Sequence, residues 1–140
     1  MLDLAQLFLK KSCTAGFMAR VQVLWICSNA AMTGARIVLT TLDDKERATQ
    51  LANALVESRL AACVNLIEPI RSVYRWKGKI ETADEVLLVI KTSADGLPAL
   101  KDKIRQLHPY ELPELLVLPV VDGSEPYLAW LLGAVRPGSE

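Results

Sequence analysis

The chain has 140 residues, 51% of them hydrophobic, and its 16 basic residues balance 16 acidic ones. That length and apolar content fit one domain with an ample core. Balanced charge without a basic stripe excludes an electrostatically driven nucleic-acid binder, and no apolar run reaches the roughly 18 residues that span a bilayer.

Residues 1–35 read as an extension to a domain at 36–140. Leu2, Leu4, Leu7 and Leu9 are interspersed with Lys10 and Lys11, and a short apolar run from Val21 to Cys27 precedes small residues. Three readings stand open: a poorly ordered extension or over-long start with Met32 as the natural first residue, a weak signal for export, or an added helix. Cys13, Cys27 and Cys63 are widely spaced and match no paired zinc or redox pattern, which fits a reducing cytoplasm. From Arg36 onward 13 basic residues face 15 acidic ones.

Arg36 to Thr41 is a β-branched apolar run, hence a strand. Asp43, three residues before Glu46, predicts a capping box opening a helix that ends near Arg59. Ala48, Leu51, Ala52, Leu55 and Val56 form its apolar face. A second strand covers Ala61 to Ile67, is interrupted by a bulge or bend at Glu68-Pro69, and resumes from Ile70 to Trp76. Lys77-Gly78-Lys79 predicts a tight hairpin turn, and the partner strand returns to Thr92. Ser93 or Asp95 is positioned to cap a second helix, whose predicted buried stripe is Leu97, Leu100, Ile104 and Leu107. Pro109 ends it. A turn-rich loop, His108 to Glu114, leads to a strand from Leu115 to Val121, and Glu125 to Leu132 forms a last short helix.

The order is β-α-β-β-α-β plus a terminal helix, an α+β fold of the ferredoxin-like type with a long second hairpin. In that topology the first and third strands are central, and the helices cover one sheet face. Val86 to Ile90 and Ile37 to Leu39 do not alternate apolar with polar residues, so both faces of the central strands must leave water. Either copies of the chain cover the second face, or the hairpin folds over it within one chain. The arm from Ser72 to Glu85 is longer than a lone sheet needs and suits addition to a neighbour's sheet edge.

Five segments share a family pattern in order: Leu60 to Asn65, Ser72 to Lys79, Glu85 to Thr92, His108 to Glu114, and Tyr127 to Trp130. They resemble the CutA family over about Ile37 to Leu132. The resemblance implies a ferredoxin-like fold, a very stable homotrimer built like nitrogen-signalling trimers, and a role in tolerance of divalent cations such as copper. In members described as copper-binding, the ligands are a cysteine near the end of the first strand and a His-His pair before Pro-Tyr. Here those positions hold Thr40, Thr41 and Leu107, and only His108 matches.

His108 is the sole histidine, read either as a ligand for Cu(II) or another divalent cation, bound weakly, or as a helix-terminal structural group. Cys63 is read as a buried small hydrophobe, with soft-metal ligation as the alternative. Tyr74, Trp76 and Tyr110 pack in the core or line an inter-subunit cleft with Lys91 and Glu114. Lys91 closes an apolar strand and needs a partner, for which Glu114 is the candidate. There is no GxSxG, HExxH, P-loop or Rossmann fingerprint, so no catalytic residue is assigned, and Asp43-Asp44 reads as a cap. The expected function is a cytoplasmic homotrimeric binding or signalling module. The alternatives are an enzyme or sensor acting on a small anionic metabolite in that cleft, with Lys91, Tyr74 and Glu114 as its polar groups, and a ligand-free trimeric scaffold.

Overall fold

The computed structural model describes residues 33–136, and the readings made for residues 1–32 lie outside them. β1 (Ala35–Leu42), β2 (Cys63–Trp76), β3 (Lys79–Ser93) and β4 (Leu116–Pro119) form an antiparallel sheet in the order β2-β3-β1-β4. α1 (Lys45–Glu57) follows β1, α2 (Leu97–Leu107) follows β3, and α3 (Glu125–Ala134) closes the fold. Residues just before Arg36 also join the sheet: the Ala94 amide donates to the Gly34 carbonyl at 2.7 Å, and Thr33 Oγ1 donates to the Val120 carbonyl.

Strand period explains where the core sits. Val38 and Leu42 of β1 point to the same side as Val86, Leu88 and Ile90 of β3 and are buried there under α1 and α2. Ala48, Leu51, Ala52 and Leu55 supply the α1 face, and Leu100 and Ile104 the α2 face. Val56 and Leu107, expected on those stripes, are instead exposed, because each lies at the shoulder of its helix in the last turn.

Capping differs in detail from the sequence reading. Asp44, not Asp43, is the N-cap of α1, its carboxylate accepting from the Arg47 amide at 2.7 Å. At the other end Arg59 adopts φ 55°, with Arg59 N–H to Val56 O and Leu60 N–H to Leu55 O both at 3.0 Å. That is a Schellman arrangement with arginine where glycine is usual, and it ends the helix at Glu57. α2 has Gly96 as its N-cap, with no side-chain cap bond. Ser93 acts one step earlier: its Oγ accepts from the Gly96 amide at 3.0 Å.

The other sheet face carries Ile37, Leu39 and Thr41 of β1, Leu87, Val89 and Lys91 of β3, Cys63, Asn65 and Ile67 of β2, and Leu116 and Leu118 of β4. The apolar members are half-buried or exposed; Leu116 is 56% exposed. The hairpin does not fold over them. β1 pairs with β3 only as far as Val86, and from Glu85 outward β2 and β3 pair with each other alone. The seven residues to Lys79 carry the arm about 20 Å beyond β1. Val73 and Ile80 on it are exposed. The turn is Lys77-Gly78, both at positive φ (47° and 82°), as a two-residue hairpin of this twist requires.

β2 is continuous across Glu68-Pro69, with a register shift between Ile67, opposite Leu87, and Ile70, opposite Glu85. Three residues on β2 thus match two on β3. This is the expected bulge, and it exchanges the faces of every β2 residue beyond it.

One core group is unmatched: Thr40 is fully buried on the helix-covered face, and its hydroxyl has no hydrogen-bond partner among the described residues. A buried unpaired hydroxyl is destabilising. Thr40→Val keeps shape and removes it, and is expected to raise stability by about 1 kcal/mol, read as a higher guanidinium midpoint at unchanged slope.

Candidate functional site

The loop between α2 and β4 crosses the root of the hairpin arm and encloses with it a cleft of about 860 Å³. From the arm come Ser72, Tyr74 and Trp76 of β2 and Ala83 and Glu85 of β3, all on one side because of the bulge. Thr41 and Asp43, at the end of β1, form the floor, and Tyr110 to Glu114 form the far wall. A smaller depression on the flank of α2, between Ala94 and Arg105, holds none of the candidate site residues named from the sequence.

His108 braces the loop. It is 8% exposed, and its Nε2 lies 3.0 Å from the Thr41 carbonyl, while the Tyr110 amide donates to Nδ1 at 3.2 Å. A carbonyl only accepts and an amide N–H only donates, so the imidazole is neutral with its proton on Nε2. The Tyr110 ring packs edge-on against it, centroids 5.0 Å apart. Burial pushes the His108 pKa down, outweighing the opposing pull of the Thr41 carbonyl and of Asp43 and Glu85.

Glu85 and Tyr110 form the deepest polar pair of the cleft. Glu85 is 8% exposed and accepts from the Tyr110 hydroxyl at 3.1 Å. Burial first, and then this hydrogen bond, push the Tyr110 phenol far above its ordinary value, so it stays a donor at any physiological pH. The lining carries four carboxylates, Asp43, Glu85, Glu111 and Glu114, against one cation, Arg75. Arg75 turns toward the hairpin tip, where its Nη1 donates to the Gly78 carbonyl at 3.2 Å. Lys77 stands over the Trp76 ring, 5.9 Å from its centroid.

Four of the five cleft residues named from sequence, Tyr74, Trp76, Tyr110 and Glu114, line this one cavity; Lys91 does not. It lies six residues from Glu85 along β3, about 20 Å away, and pairs with Asn65 Oδ1 at 2.7 Å rather than with Glu114. Cys63 Sγ is 3.8 Å from the same ammonium and is half-buried, not a core thiol. Both His108 nitrogens are engaged within the chain, and no cluster of three or more His, Cys, Asp or Glu side chains able to hold a metal occurs among the described residues. Glu85 and Asp43 were not singled out as cleft residues from sequence. The one signal for Glu85 was its place at the head of an otherwise apolar strand.

The depressed His108 pKa has a stability consequence. Between the lower folded value and the ordinary 6.5 the unfolded chain binds the extra proton, so stability is full above about pH 6.5 and is lost as pH falls toward the folded value. His108→Gln is expected to flatten this part of the profile, measured as guanidinium midpoints between about pH 7.5 and 5.

Comparison with known proteins places this geometry. A family model described as CutA1 divalent ion tolerance protein matches residues 36–134. The chain is 45% identical over 95 residues to divalent-cation tolerance protein CutA of Thermus thermophilus, covering 68% of this chain and 92% of that protein. It is 53% identical over 91 residues to the human protein CutA, covering 65% of this chain and 51% of that protein, so it spans about half the length of the human relative. Among solved structures, CutA1 from Oryza sativa superposes with a TM-score of 0.73 at 38% identity, covering 77% of this chain and 99% of that one. The divalent cation tolerance protein from Thermus thermophilus superposes with a TM-score of 0.71 at 42% identity, covering 73% and 99%.

Proposed function

The chain belongs to the CutA1 divalent ion tolerance family, and on that premise we propose that it is a homotrimeric binding or signalling module in the response to divalent cations, copper among them. In this reading it acts in the cytoplasm, presents a ligand cleft near each subunit boundary, and is not an enzyme. Support for the trimer comes from the uncovered sheet face. Ile37, Leu39, Leu87 and Val89 lie in its centre, with Ile67, Leu116 and Leu118 toward its edges. A contiguous apolar surface of this kind marks an interface, and each such side chain gains about 1.5–3 kcal/mol on full burial. The projecting arm, with exposed Val73 and Ile80, offers unpaired strand edges to a neighbour.

Light scattering of the purified chain is expected to give three times its 15.4 kDa mass. The double variant Leu116→Glu, Leu118→Glu is expected to dissociate, since charge buried at an apolar interface costs several kcal/mol. A native chain that stays a single polypeptide with this face in water would remove the reading.

The role in cation response does not require a tight site on His108, whose nitrogens are spent on the Thr41 carbonyl and the Tyr110 amide. Calorimetric titration with Cu(II) is expected to show weak binding that His108→Gln leaves unchanged. Tight, stoichiometric binding abolished by that substitution would assign the histidine to the metal. Of the other classes, an enzyme for a small anionic metabolite has less support within one chain, where the cleft lining holds four carboxylates against Arg75. A ligand-free scaffold gives no account of a large cleft with a buried carboxylate in its wall.

A further inference from the structure

We propose that His108 is a proton-operated latch: neutral, its imidazole holds the loop between α2 and β4 against the end of β1, and a proton on Nδ1 releases residues 109–114 while the sheet and helices stay folded. Every contact of the latch is made within one chain, and it depends neither on what the cleft binds nor on the charge of the lining.

The first argument is how few bonds hold the loop. Glu111 to Leu115 make no hydrogen bond, by backbone or side chain, among the described residues. Tyr110 is the anchor, held at two points: its amide donates to His108 Nδ1 at 3.2 Å and its hydroxyl to Glu85 at 3.1 Å. Pro109, between the ring's own residue and Tyr110, has no amide to offer. Leu112 is 72% exposed, and packing against the core resumes only at Leu115. The other side of the ring is fixed. Nε2 donates to the carbonyl of Thr41, which pairs with Leu87 in the sheet, and the His108 amide caps α2 through the Ile104 carbonyl at 2.8 Å. One imidazole thus ties the loop's anchor to β1 and to the end of α2.

The second argument is the polarity of that tie. Nδ1 accepts from the Tyr110 amide, so it must carry no proton. A proton there sets two N–H donors against each other, and the anchor keeps only its bond to Glu85. The groups around the ring are the Thr41 carbonyl of β1, the Asp43 carboxylate that follows it, Glu85 of β3 and Tyr110 of the loop. On α2 itself, Arg105 is paired with Asp102. Asp43 and Glu85 favour the imidazolium, yet in the closed loop burial outweighs them and keeps the ring neutral. In the released loop the ring meets water, burial no longer opposes the proton, and its pKa returns toward 6.5. The released form therefore binds the proton more readily. The closed form prevails above about pH 6.5 and yields as pH falls toward its own lower value.

His108 is the chain's only histidine, so imidazole NMR signals of the full-length protein report it alone. Long-range proton–nitrogen spectra are expected to show the Nε2–H tautomer at about pH 7.5 and one titration with its midpoint below the ordinary value. Backbone NMR on the same deuterated sample follows the loop. With the midpoint of the ring, the Tyr110 amide is expected to lose protection beyond the intrinsic pH dependence of exchange, and residues 110–114 to lose order, while the β1 and β3 amides stay protected. His108→Gln, whose amide offers a donor and an acceptor at every pH, is expected to keep the loop closed throughout. Tyr110→Phe removes the bond to Glu85 and is expected to move release to higher pH; it keeps the test meaningful should the glutamine variant fold poorly. An Nδ1–H tautomer at about pH 7.5, a loop indifferent to the ring's titration, or a release that persists in His108→Gln would overturn the proposal. So would loss of protection in β1 and β3 together with the loop, which would make the histidine a matter of global stability only.

Discussion

The structure depends on a mismatch between its central strands and its helices. β1 and β3 carry apolar residues on both faces, while α1 and α2 supply cover for one. Val38, Leu88 and Ile90 are sealed beneath the helices, and their neighbours Leu39, Leu87 and Val89 are left partly exposed. A strand cannot satisfy this by turning, since its period of two returns every second side chain to the open face. The hairpin arm does not resolve it either, because its own pairing carries it outward past the end of β1. The demand for a covering surface is therefore written into the two innermost strands, where a substitution would also disturb the core.

Much of this was legible before any coordinates. An unbroken run such as Val86 to Ile90, placed in the third strand of a β-α-β-β-α-β order, already states that both faces are to be buried. The bulge was legible as well, since a proline in mid-strand cannot donate to the ladder. Less legible were features that depend on which of two equivalent residues the backbone selects. Asp43 and Asp44 are chemically the same cap, and the choice falls on the one whose carboxylate reaches the third amide of α1. Arg59 in a left-handed conformation leaves no mark in composition, because glycine is the residue that advertises such a helix end.

The site shows the same division. Tyr74, Trp76, Tyr110 and Glu114 were accessible as candidates because aromatic and acidic residues on an arm and a turn-rich loop have no obvious core to join. Lys91 was read as part of a cleft shared between subunits, and within one chain it lies apart from the other four. Six residues of β3 separate it from Glu85, and the nearest acceptor across the ladder, Asn65, satisfies its ammonium. Within one chain the lining therefore carries Asp43, Glu85, Glu111 and Glu114 against Arg75. His108 shifts role by similar logic: a ring with an acceptor at one nitrogen and a donor at the other is a brace between β1 and the loop. Its low pKa keeps that brace neutral.

The bulge joins these observations. Up to Ile67 the odd-numbered residues of β2 face the open side of the sheet with Leu87, Val89 and Lys91; beyond it the even-numbered residues do, with Glu85 and Ala83. The extra residue at Glu68-Pro69 thus moves Ser72, Tyr74 and Trp76 onto the side where Tyr110 and Glu114 approach, and sends Val73 to the opposite face. With an unbulged β2 the same sequence would set Arg71 opposite Ala83 and Val73 opposite Glu81, and the cleft would lose Tyr74 and Trp76 from its wall and gain a cation. A single inserted residue therefore couples the two properties of the chain. It lets the inner half of the hairpin serve the apolar sheet face and the outer half build a polar, aromatic pocket on the same side.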